Sequence, residues 1–136
     1  MGIINWLIHR NMLNAANELA KWAFELFQSL RAAQPNIDDR ETFRQMLDQR
    51  GRFPGGAADR EKVLDRYGSS LHGLCYFIGL NSPLMKGMMI SRCIQYTQYV
   101  DRALEKYGAN PLPVSLKREY FEKLRLPVDA AEENRL

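Results

Sequence analysis

An all-α fold, a bundle of four principal helices followed by a short C-terminal one, is what the sequence predicts. Three observations predict it. Apolar residues recur at three- and four-residue steps along the long segments. Gly, Pro, Asn and Ser cluster between those segments. No stretch alternates with the two-residue period of a strand, and no internal repeat is present.

The first helix is expected from about Ile3 to Ala33. Met12, Ala16, Leu19, Ala23, Phe27 and Leu30 form its main stripe, and Pro35-Asn36 stops it. Trp6, Trp22, Phe24 and Leu26 lie off that stripe. A helix apolar on more than one side needs more than one neighbour, from this chain or from a second copy.

Asp38 caps the second helix, with Glu41 three residues on as its partner and Asp39 adding negative charge in the first turn. Phe43, Met46 and Leu47 give it one narrow buried side, and Gly51 is its expected stop. Residues Arg50 to Gly56 read as a loop. A third helix is expected from about Ala58 to Ile78. Gly68 and Gly73 weaken it; they either permit close helix contact or, at Gly68-Ser69-Ser70, kink it.

Ser82-Pro83 reads as cap and first residue of a fourth helix reaching about Tyr107. The short link before it makes helices three and four an antiparallel hairpin. Asn110 to Pro113 is an extended connector, and Ser115 caps the last helix, which reaches about Leu124. Residues 1–128 are expected to form one domain and residues 129–136 a polar, frayed tail.

Composition narrows the classes of function. The 136 residues are 46% hydrophobic and 26% charged, an ordinary globular balance. The net charge of +3 is spread thinly, without the basic stripe of a nucleic-acid binder. Arg40, Arg44, Arg50 and Arg52 are the densest arginine set, but Asp38, Asp39, Glu41 and Asp48 lie among them; weak nucleic-acid binding is therefore the least favoured role. No carboxylate occurs between Asp65 and Asp101, and the apolar character of that stretch reads as core.

No uninterrupted apolar run is long enough to span a membrane. The apolar start, Met1 to Ile8, is too short for a secretory signal core, and Trp6 stands where a myristoylation motif wants Ser or Thr. A cytoplasmic protein with reduced Cys75 and Cys93 is expected.

No nucleophile–base pair or phosphate loop is evident. His72 and Cys75 share a helix face, with Cys93 across the hairpin, but a metal site lacks a fourth ligand. No cofactor, metal or catalytic residue is expected. A small-ligand or enzymatic pocket between helices three and four, around His72, Tyr76, Arg92 and Tyr96, is the second reading; tyrosines sealing the rim of a core explain most of the same residues. Met85, Met88 and Met89 form an adaptable apolar cluster, interrupted by Lys86 and Gly87.

The leading expectation is a protein-interaction or adaptor role, first of all as a homo-oligomer. Ile3, Ile4, Trp6 and Leu7, with Trp22 further along, are the expected interface. The first turns could instead lie on a membrane surface, but their polar side offers only His9 and Arg10 as cations, so a protein partner is preferred.

Overall fold

A computed structural model describes residues 2–50 and 53–124. The expected domain end at 128, the tail 129–136, Gly51 and Arg52 lie outside the described residues.

All the described elements are helices: α1 (Gly2–Ala33), α2 (Asp39–Arg50), α3 (Ala57–Tyr67), α4 (Leu71–Leu80), α5 (Ile90–Lys106) and α6 (Val114–Lys123). Asp38 starts α2 as its sequence implies, its Oδ1 accepting the Glu41 backbone N–H at 2.7 Å.

Three elements differ from expectation. The last helix starts at Val114, with Pro113 at its cap and no side-chain cap bond, so Ser115 lies inside its first turn rather than capping it. The third helix is two helices. Ser70 is extended at φ −159°, and its side chain accepts the Gly73 N–H, so Gly68-Ser69-Ser70 ends α3 and caps α4 rather than bending one helix. The Ser82-Pro83 pair closes only a single turn, in which the Lys86 N–H donates to the Ser82 carbonyl at 2.9 Å. Gly87 then adopts φ 84°, a left-handed conformation that cannot continue a helix, and α5 begins at Ile90.

α4 is the central rod. Leu71, His72, Gly73, Leu74, Cys75, Tyr76 and Gly79 are all buried along it. A helix apolar on most sides must be surrounded, and α1, α2, α3 and α5 all pack against it. Its glycines allow close neighbours. A Cβ on Gly73 would lie 2.4 Å from Tyr120 Cζ, and one on Gly79 2.5 Å from Tyr96 Cε1.

The most extensive helix pair is α1 with α5. They run in the same direction: Asn5 meets Arg92 near their starts, and Phe24 lies against Gly108 past the end of α5. The extra apolar sides of α1 are used within the chain. Trp22, Phe24 and Leu26 pack against the core half-buried, and Phe27 stacks on Phe43 of α2 at 5.7 Å. α6 seats Tyr120 and Phe121 in the core, where the Tyr76 ring meets both edge-on.

Candidate functional site

Once the core is filled, the surplus apolar surface is concentrated at one end of the molecule. Ile3 is 77% exposed, Ile4 67%, Trp6 56% and Leu7 45%. On a helical wheel Trp6, Ile3, Leu7 and Ile4 span an arc of about 160°. Asn5, Ile8, His9 and Met12 occupy the opposite side, toward α5 and the core. Met89, the residue that precedes α5, is 63% exposed at the same end. Arg10 lies over the Trp6 ring at 5.1 Å, a cation–π contact that holds both on the surface.

Beside these turns lies an open polar cleft of about 430 Å³ between α1 and α5. Asn5, His9, Ser91, Arg92, Gln95 and Gln98 line it. Arg92 Nη2 donates to Asn5 Oδ1 at 3.1 Å, and His9 Nδ1 is buried without a hydrogen-bond partner. Residues 2–17 and 82–100, the two stretches that build this end, contain no Asp or Glu.

Trp22 stands apart from the other expected interface residues. It is sixteen positions beyond Trp6, about 24 Å along the axis of α1. It is half-buried, and Arg50 lies over its ring at 4.4 Å.

The structure divides the expected ligand pocket. His72 and Tyr76 are buried on α4, Tyr96 is buried on α5 against Gly79, and Arg92 faces the cleft with α1. The polar residues that do meet in the interior are Tyr76, Asp101 and Lys117. Lys117 Nζ is 2.6 Å from Asp101 Oδ2, and its side chain is 3% exposed. The Tyr76 hydroxyl donates to Asp101 Oδ1. Burial, reinforced by the Asp101 carboxylate, pushes the Tyr76 hydroxyl well above its ordinary range, so it remains a donor. Burial likewise raises Tyr96.

His72 stands within the electrostatic reach of this cluster. Burial lowers its pKa, against the pull of Asp101 and Glu105, and its Nε2 has no hydrogen-bond partner. None of these side chains lines the α1–α5 cleft. Their arrangement ties α6 to α4 and α5. Sequence reasoning passed over Asp101 and Lys117, although Lys117, Tyr120, Phe121 and Leu124 fall on one helical stripe. A cation on that stripe was the available signal for a buried partner.

The arginine set is committed elsewhere. Arg44 pairs with Glu61 at 2.7 Å and with Glu41, and Arg40 pairs with Asp65 at 2.8 Å and Glu61 at 3.2 Å. Arg44, then Arg40, holds the Glu61 carboxyl down at about 2. This network joins α2 to α3. Arg52 lies outside the described residues.

Cys75 and Cys93 are unbridged and buried, and burial pushes the Cys75 thiol up to about 12. Among the described residues no three of His, Cys, Asp and Glu converge as a metal site requires. No helix among them is long and apolar enough to cross a membrane. Compared with family models, curated proteins and solved structures, the chain shows no match to any.

Proposed function

We propose that this protein is a helical interaction module that docks a protein partner through the first turns of α1. One observation carries the reading. Ile3, Ile4, Trp6 and Leu7 are all exposed, while the other apolar residues of α1 are mostly taken up by its own chain. Contiguous apolar surface of this kind favours a partner, and a Trp among aliphatic side chains is a common anchor. Self-association through these turns is the simplest form of the reading. A cytoplasmic setting accords with the two buried, unbridged thiols.

The test is the pair Trp6→Ala with Leu7→Asp, examined by light scattering and by binding of an apolar fluorescent dye. A wild-type dimer that becomes a folded monomer in the variant supports docking by a second copy. A wild-type monomer whose dye binding is lost in the variant supports a surface free for another chain. A wild-type monomer that binds no dye would mean that the turns are already covered, and the reading would fall.

A further inference from the structure

The cleft between α1 and α5 gathers positive charge into a small polar recess. Asn5 and His9 line it from α1; Ser91, Arg92 and Gln95 line it from the first turns of α5, and Ile94 is the one apolar residue of the lining. At about 430 Å³ it is of a size for a small molecule. It lies on the side of α1 away from Ile3, Ile4, Trp6 and Leu7, and so is separate from whatever covers those turns.

Arg92 is the cation of the recess. It gives one N–H to the neutral Asn5 Oδ1 at 3.1 Å, and a guanidinium has several more donors to place. No Asp or Glu belongs to residues 2–17 or 82–100. The next ones along the two helices are Glu18 and Asp101, nine positions beyond His9 and Arg92, or roughly 13 Å of helix axis. That exceeds the screening length of about 8 Å in physiological salt. Asp101 is also taken up by Lys117 and Tyr76.

The start of α5 adds to this charge. Met89 stands at its cap position and provides no side-chain cap bond, and the positive end of the helix lies beside Ser91 and Arg92. From α1, His9 Nδ1 is buried without a hydrogen-bond partner. A buried polar nitrogen gains from any group that pairs with it.

We propose that this cleft binds a small hydroxylated oxyanion, a phosphate ester or hydroxy acid of a few carbons. The Arg92 guanidinium forks onto two oxygens of the anion, a geometry that phosphate and carboxylate share. The first turn of α5 favours the same charge. Asn5, Ser91 and Gln95 supply hydrogen bonds to the hydroxyls, and His9 Nδ1 pairs with a further polar atom of the ligand. An acyl chain or aromatic ring finds only Ile94 to bury against, and the lining has no carboxylate to hold an ammonium group.

The experiment titrates glycerol phosphate, glycerate and glycerol, probes that share one carbon skeleton, into the isotope-labelled full chain in low-salt buffer free of phosphate. The chain has two histidines, so His9 is followed by its imidazole resonances, and His72, which does not line the cleft, is the internal control. At least one of the two anions is expected to shift His9 and the Ser91 and Arg92 amides saturably, with half-saturation on the order of 1 mM, while glycerol leaves them unmoved. The tighter anion identifies the group that is recognised. Arg92→Gln is expected to weaken binding about ten-fold or more. Ser91→Glu preserves the helix start, where an acidic residue is favourable, and is expected to abolish binding by placing a carboxylate in the recess. Shifts that do not saturate by about 50 mM, an equal response to glycerol, or anion binding that survives either substitution unchanged would each overturn the site. Those outcomes leave docking through Ile3, Ile4, Trp6 and Leu7 standing, because the two surfaces lie on opposite sides of α1.

Discussion

Lys117 of α6 places its ammonium 2.6 Å from the Asp101 carboxylate of α5, almost fully out of solvent. The pair joins the last described helix to the core, with the Tyr76 hydroxyl on the other carboxylate oxygen. Breaking such a pair costs more than the pair contributes, because the surviving charge stays buried without compensation. Lys117→Met is therefore expected to lower unfolding free energy by about 3 kcal/mol. Adding Asp101→Asn should recover part of that loss, since the carboxylate is then no longer stranded. Urea denaturation of the two single variants and the double variant checks this. Additive losses would mean that the two groups do not depend on each other.

His72 gives the protein an acid sensitivity with a definite sign. Burial favours its neutral form, so its folded pKa lies below the ordinary 6.5. As pH falls through 6.5 the unfolded chain takes up the proton first, and stability drops with acidification. Asp101 and Glu105 oppose this shift and Lys117 reinforces it. Glu61 acts in a different window: its depressed carboxyl contributes above its unfolded value of 4.5, and that contribution is lost toward about 2. Between pH 6.5 and 5 the slope of stability against pH is thus expected to be shallower in His72→Leu than in the wild type. Thermal unfolding across that range checks it, and identical slopes would remove His72 as the source.

Gly73→Ala weighs helix propensity against space. Ala stabilises a helix interior by about 1 kcal/mol over Gly. At this position, however, the new methyl group meets Tyr120 Cζ at 2.4 Å and the Tyr67 carbonyl oxygen at 2.6 Å. A backbone carbonyl has little freedom to withdraw. Overpacking of this kind costs about 1–3 kcal/mol, so net destabilisation is expected. Gly2→Ala, with nothing within 4 Å, serves as the control and is expected to be neutral or slightly stabilising. Equal melting temperatures for the two variants would show that α4 and α6 can separate at little cost.

These cases show which features the sequence makes legible. Helical class, the Asp38 cap and the Phe43, Met46 and Leu47 face follow from local spacing and were readable. So were the apolar first turns of α1, because no local pattern assigns them a neighbour. The break at Ser70 and the delayed start of α5 depended on alternatives of similar local energy: a kink or a cap, a long helix or one turn and a left-handed glycine. Packing around Met85 and Tyr120 contributes to that choice, and such contacts are not local. Arg92 was grouped with His72 because both lie near one hairpin. Its direction is set by α1, whose Asn5 is 87 residues away. The Lys117–Asp101 pair was missed for the same reason: each residue reads as surface charge until the two helices meet.

The thiols offer a check on the core that requires no mutation. Thiolate is the reactive form, and burial disfavours it at both cysteines, pushing Cys75 up to about 12. Cys75 is completely buried at the centre of α4, whereas Cys93 is 7% exposed at the start of α5, its thiol donating to the Met88 carbonyl. In native protein at pH 8, a disulfide reagent is expected to label Cys93 slowly and Cys75 more slowly still, with both labelled at once after unfolding. The order follows from depth. Cys93 is reached when the first turn of α5 frays, while Cys75 requires α4 to leave its neighbours, an opening close to global unfolding. Prompt labelling of Cys75 under native conditions would mean that the central helix opens independently of the rest. The burial assigned to His72, one turn away on the same helix, would then be in question as well.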